Sequence, residues 1–154
     1  MRGAGRDDAA VQIRVQRLDP DLPLPKQQQA DDAGFDLHAR DDVELAAGGG
    51  RAIVPTGLAV AIPPGYGGFV LPRSGLALKH GITCLNAPGL IDPQYRGELK
   101  VLLVNTDPTT PYTVHRGDRI AQLVIQAVAA VDWVEVDELD STARDTYGFG
   151  STGR

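Results

Sequence analysis

One cysteine, Cys84, is all the chain has. That excludes an intrachain disulfide framework and any multi-cysteine metal site, and it fits a reducing compartment. Aromatic residues make up only 5% of the chain, with a single tryptophan, Trp133. Long apolar runs are missing as well. Stretches such as Val101 to Val104 fall far short of the roughly 20 residues that a membrane-spanning helix needs. Positive charge is not in excess: the formal net charge is −5, which argues against a broad electrostatic hold on nucleic acid or anionic lipid. A compact basic pocket for one small anion remains compatible with it. The first ten residues, MRGAGRDDAA, lack the apolar core of a signal peptide and read as a disordered lead-in, residues 1–10. The expectation is a cytoplasmic protein with neither membrane nor nucleic acid as a partner.

What is present is punctuation. Eighteen glycines and 11 prolines in 154 residues leave little room for long helices. Val11, Ile13 and Val15 alternate with polar residues, as a half-buried strand does. DPDLPLP follows as a stiff, extended segment. Further strands are expected at Gly34–Ala39, Val43–Leu45, Ala52–Val54, Leu58–Ile62, Gly68–Leu71, Ile82–Leu85, Glu98–Asn105, Tyr112–Val114, Ile120–Val128 and Trp133–Val136. The turn strings AAGGG, PPGYGG, NAPG, NTDPTTP and HRGD separate them. Short strands at such spacing predict an all-β barrel or jelly-roll-like sandwich over residues 11–140. The one helix expected is a turn or two at Ser74–Lys79. Residues 141–154 are polar and glycine-rich, a composition that reads as a mobile tail.

Five clusters could carry chemistry. In Ala33-Gly34-Phe35-Asp36-Leu37, a carboxylate inside an apolar strand needs a partner or a ligand unless it faces water. In Pro72-Arg73-Ser74-Gly75-Leu76, Ser74 suits a helix N-cap, and Arg73 beside free amides suits phosphate; an ordinary cap with a surface arginine fits equally. The third cluster runs from Asn86 to Glu98, as NAPGLIDPQYRGE. Asn86 can read a planar amide edge, Pro88-Gly89 builds a turn, Asp92 is held extended by the proline after it, and Tyr95 offers a ring to a sugar. The fourth, RGDRIAQL over residues 116–123, contains an RGD tripeptide at a turn entering a strand, where Arg119 and Asp118 are expected to pair. Gln122 lies inside that strand and needs a partner. The fifth, RDTYGFGSTG over residues 144–153, combines Arg144, Phe149, Ser151 and Thr152 with three glycines. It suits a lid that orders around phosphates, although its composition alone also fits a solvated tail.

In this order and spacing, AGFDL, PRSGLA, NAPGLIDPQYRGE, RGDRIAQL and RDTYGFGSTG resemble the five motifs of the trimeric deoxyuridine triphosphate nucleotidohydrolases, the dUTPases. The resemblance runs from about Leu18 to the C-terminus. It implies a jelly-roll-like β-barrel that forms a homotrimer with C-terminal arm exchange, each active site drawing on all three chains. It implies hydrolysis of dUTP to dUMP and pyrophosphate with Mg²⁺, which keeps uracil out of DNA and supplies dUMP for thymidylate synthesis. Asp92 matches the base that activates water, Asn86 the reader of the uracil edge, and Tyr95 the ring under the deoxyribose. Arg73, Ser74 and Gly75 match the phosphate cradle, and Gln122 a further phosphate contact. Asp36 matches an aspartate near the water shell of the metal, which the triphosphate itself mainly holds. Arg144, Phe149, Ser151 and Thr152 match the closing arm, where Arg144 meets the terminal phosphate and Phe149 covers the base.

Two other readings compete. A dCTP deaminase shares the barrel and a similar hairpin, but it carries a glutamate about ten residues after the hairpin aspartate. Here that position is Leu102, inside an aliphatic strand, which cannot activate water. A non-catalytic β-module would lack the base or the closing arm, and this chain has candidates for both. His38, His80 and His115 are too scattered to suggest a metal site, and Cys84 reads as a small buried hydrophobe.

Overall fold

The computed structural model describes residues 10–142. Along them lie β1 (Arg14–Arg17), β2 (Phe35–His38), β3 (Val43–Leu45), β4 (Arg51–Ala61), β5 (Tyr66–Pro72), α1 (Ser74–His80), β6 (Ile82–Cys84), β7 (Gly89–Ile91), β8 (Glu98–Asn105), β9 (Tyr112–Val114) and β10 (Arg119–Ala127). All pairings are antiparallel, in one sheet of order β1-β4-β8-β6, a second of order β2-β10-β5-β7, and a ribbon of β3 with β9. The all-β expectation holds, but a closed barrel does not form. The chain passes from β6, an edge of the first sheet, to β7, an edge of the second, without pairing the two. The result is a sandwich with one shared core.

Strand alternation builds that core. Along β8, Leu99, Val101 and Leu103 turn inward while Lys100 points to water, the period of two expected of a half-buried strand. They meet Leu37 and Ile120 of the second sheet and Val54, Leu58 and Ile82 of the first. The buried polar residues are hydrogen-bonded where they bridge elements. Thr56 Oγ1 donates to the Leu99 carbonyl at 2.7 Å. Asn105 Nδ2 donates to the carbonyls of Leu45 and Thr110, and its Oδ1 accepts from the Asp107 N–H.

Four local expectations change. The two strands expected at Ala52–Val54 and Leu58–Ile62 are one, β4, because a register shift between Pro55 and Ala59 absorbs the apparent break. Gly57 makes that bulge with φ of 71°, and a Cβ there would lie 2.7 Å from Asp19 Cβ. DPDLPLP begins with a turn, in which the Leu22 N–H reaches the Asp19 carbonyl and Leu22 goes into the interior. Arg73, not Ser74, occupies the N-cap of α1, with no side-chain capping bond; Ser74 is the first helical residue and stands exposed. Trp133–Val136 is not a strand, and Trp133 is 91% exposed. Its alternating pattern has no partner strand among the described residues.

Asn105→Ala removes three bonds at once and strands the buried Leu45 carbonyl. It is expected to lower stability by about 2–4 kcal/mol. Urea unfolding would measure this, and a wild-type midpoint would contradict the stapling role.

Candidate active site

The first, second and fourth sequence clusters meet at one corner of the second sheet. Strand β10 lies between β2 and β5, so Gln122 stands opposite Asp36 on one side and Leu71 on the other. Asp36 is 2% exposed, and a buried carboxylate needs cations. Arg119 Nη1 lies 3.3 Å from its Oδ2, and Arg73 Nε lies 3.8 Å from its Oδ1. Arg73 Nη1 also donates to the Arg119 carbonyl at 3.0 Å. The guanidinium of Arg73 is therefore oriented from two directions. The expected Arg119–Asp118 pair does not form: Asp118 instead accepts from the His115 N–H. Local spacing pointed to the neighbour, whereas sheet register brings Arg119 beside a strand 83 residues away.

The glycine of the first cluster has a tertiary reason. A Cβ on Gly34 would come within 3.2 to 3.4 Å of the Gln122 side chain. Gly75 differs: a Cβ there would meet nothing within 4 Å, so nothing in the described fold calls for glycine in the first turn of α1. His38, at the end of β2, is held below its ordinary value by burial, against the pull of Asp36 and with Arg119, Lys26 and Arg73 adding to the lowering.

The third cluster forms a separate unit. After β6 the chain turns at Asn86, with the Ala87 N–H bonded to the Cys84 carbonyl. Gly89 packs beneath that turn, and its Cβ would lie 3.4 Å from Asn86 Nδ2. Asn86, Asp92 and Tyr95 are all exposed. The Tyr95 hydroxyl donates to the Glu98 carbonyl at 2.9 Å, which folds the ring back over Gly97. Cys84 is buried, and burial pushes its thiol up to about 11. It stays protonated at neutral pH and offers no nucleophile.

Arg73 and Asp92 lie toward opposite ends of β5. Ile91 stands opposite Gly68 in β5, which puts Asp92 level with Gly67, while Arg73 follows the other end of the strand. Six residues at about 3.3 Å each put roughly 20 Å between them. Asp36, Arg73, Ser74, Gly75 and Gln122 are thus gathered, Asp92 and Tyr95 form a second group, Asn86 stands before β7 nearer the Arg73 end, and one chain does not merge the two groups. Arg144, Phe149, Ser151 and Thr152 lie outside the described residues.

Sequence reasoning missed a charged network beside the second group. Arg116 grips Asp19 through both nitrogens and donates to the Arg40 carbonyl. Arg40 lies 3.8 Å from Asp19 and 3.3 Å from Glu98. Its partners are up to 97 residues apart, and no local string announces them. The RGD arginine is thereby engaged in a turn. Among the described residues, no group of three His, Cys, Asp or Glu could hold a metal.

A family model described as dUTPase matches residues 21–153. The chain is 59% identical to the deoxyuridine 5'-triphosphate nucleotidohydrolase of Thermobifida fusca, over 93% of this chain and 79% of that protein. It is 53% identical to the enzyme of the same name from Mycobacterium tuberculosis, over 92% and 94%. Its fold resembles that of the Staphylococcus bacteriophage 80alpha dUTPase solved with dUPNHPP, with a TM-score of 0.83, 27% identity and coverage of 93% and 99%. It also resembles a variant of the phage phi11 dUTPase that coordinates a structural Mg(II) ion, with a TM-score of 0.74, 26% identity and coverage of 84% and 99%. Sequence motifs, sheet architecture and relatives converge, and the chain belongs to the dUTPase family.

Proposed function

We propose that this dUTPase hydrolyses its substrate by attack of a water on the α-phosphate of dUTP, with Asp92 as the general base, giving dUMP and pyrophosphate. The observation that carries the reading is the distribution of its groups along β5. At one end Arg73, oriented by Asp36 and the Arg119 carbonyl, stands beside the exposed Ser74 hydroxyl and the open space at Gly75. That end suits phosphate oxygens, with Gln122 alongside. Toward the other end the exposed Asp92 carboxylate can take a proton from water and Tyr95 can lie under the deoxyribose, and from the turn before β7 Asn86 can pair with the uracil edge. Arg144, Phe149, Ser151 and Thr152 complete the proposal as a closing arm that clamps the terminal phosphate and covers the base.

A general base works within about 3 Å of the proton it takes. A span of roughly 20 Å along β5 therefore favours a site in which Asp92 of one chain serves the phosphate cradle of another. This supports a homotrimer whose sites draw on all three chains. Val131, Trp133, Val134 and Leu139 lie exposed after β10, and Val11, Ile13, Leu24, Phe35 and Tyr66 line an apolar groove of about 460 Å³. Both fit arms exchanged between copies, for such surface is costly to leave in water.

Mg²⁺ fits this donor set through the substrate. No described carboxylate cluster could cage it, and two guanidiniums already face Asp36. Asp36 Oδ1 is buried and makes no hydrogen bond with a described residue, which suits contact through a water of the ion's shell. When bound, the ion would neutralise phosphate charge in the transition state. The domain plan proposed is a lead-in over residues 1–10, a catalytic domain over 11–140 and an arm over 141–154. A cytoplasmic setting is proposed from the lone, buried thiol; among the described residues, no helix is long and apolar enough to cross a membrane.

Asp92→Asn is nearly isosteric and should keep nucleotide binding while lowering kcat by about 10²–10⁴-fold. Wild-type turnover would remove Asp92 from the mechanism. Mixing inactive Asp92→Asn chains with inactive chains truncated before Arg144 should restore part of the activity, because a hybrid site can take hairpin and arm from different chains. A fully active monomer in solution would contradict the shared site. Gly75→Ala should leave stability unchanged or raise it by up to about 1 kcal/mol, since alanine is the better helix former. The same change should cut kcat/KM by about tenfold or more if phosphate approaches that backbone; unchanged kinetics would place the phosphate elsewhere.

A further inference from the structure

We propose that Glu98 is a positioning residue for sugar selectivity, acting through the carbonyl that holds Tyr95. The proposal rests on the reading of Tyr95 as the ring under the deoxyribose. Glu98 opens β8 and pairs with Ala59, the first partner in β4 after the register shift. Its Oε1 accepts the Gly57 N–H at 2.8 Å and faces Arg40 Nη1 at 3.3 Å. Gly57 is the bulge residue with φ of 71°, and its carbonyl accepts the N–H groups of Leu18 and Asp19. One carboxylate oxygen thus seats the start of β8 on the β4 bulge and on the network of Arg40, Asp19 and Arg116.

The backbone of the same residue does the second half of the work. The Glu98 carbonyl accepts the Tyr95 hydroxyl at 2.9 Å. The ring lies so close to Gly97 that a Cβ there would fall 2.5 Å from its hydroxyl oxygen and 2.7 Å from Cζ. Tyr95 is 43% exposed, so packing alone does not fix its ring. Its position depends on that hydrogen bond and on where the Glu98 carbonyl sits. A ring held there leaves no slack under the sugar, and a 2′-hydroxyl needs that slack. Without the anchor, the ring can move and a ribose can enter.

The readout is the ratio of kcat/KM for dUTP to that for UTP, measured on the full chain. Tyr95→Phe removes the bond directly, and Glu98→Ala removes the anchor behind it. Each is expected to lower the ratio by roughly fivefold to tenfold, the size of one neutral hydrogen bond. Combining them should lower it no further, because they act on one contact. Glu98→Gln keeps an oxygen for the Gly57 N–H and should restore most of the ratio. Glu98→Asp is too short to reach it and should behave like Glu98→Ala, which gives a second, milder variant if Glu98→Ala fails to fold. A carboxylate that serves only stability would lower Tm and activity with both substrates and leave the ratio unchanged. That result, or additive losses in the double variant, overturns the proposal. Tyr95→Ala separates the underlying reading: if it too keeps the wild-type ratio, Tyr95 does not read the sugar; if it loses the ratio while Glu98→Ala and Glu98→Asp keep it, only the role of Glu98 fails.

Discussion

A buried carboxylate between two guanidiniums organises the corner of this protein where its phosphate-binding candidates gather. Asp36 is 2% exposed, with Arg119 on one oxygen and Arg73 near the other. Taking such a charge out of water costs several kcal/mol, and only well-placed cations offset it. Satisfying it therefore constrains three strands together: β2 brings the carboxylate, β10 brings Arg119, and β5 delivers Arg73 from its end. Gln122 comes into line as the cross-strand neighbour of Asp36, and Gly34 gives its side chain room. Three clusters scattered over the sequence become one surface because one charge has to be answered.

Strand β5 then acts as a ruler. It carries Arg73 at one end, and its pairing with β7 delivers Asp92 toward the other. An extended strand is stiff, so a pair of groups at its two ends cannot close on a single phosphorus atom. The geometry makes self-association part of the proposed chemistry rather than an addition to it. The uncovered apolar residues between Val128 and Leu139 point the same way. Their alternation was legible as a strand, but a strand needs a partner edge, and the described part of this chain supplies none.

Reading the sequence succeeded where the signal is local. Val43–Leu45, Glu98–Asn105 and Tyr112–Val114 appear with the expected bounds, because alternation and flanking turns mark each within a few residues. It failed where a distant group changes the meaning of a short string. Pro55-Thr56-Gly57 looks like a break until the Glu98 carboxylate is seen to hold the Gly57 N–H and make a bulge of it. Ser74 looks like a cap until Arg73 takes that place. Asp118 looks like the partner of Arg119 until the pairing of β10 with β2 sets Arg119 across from His38 and brings its guanidinium to Asp36.

The order of residues by itself determined the fold class, the strands with clean alternation, and the set of chemical groups that mark a dUTPase. Those depend on residue type and on neighbours along the chain. Only the tertiary structure decided which groups share a surface, why Asp36 is tolerated in the interior, and that Asp92 and Arg73 stand apart. It also decided that the sheets stay open rather than closing into a barrel. These outcomes depend on register between strands far apart in sequence, where a shift of one residue would turn each side chain to the opposite face.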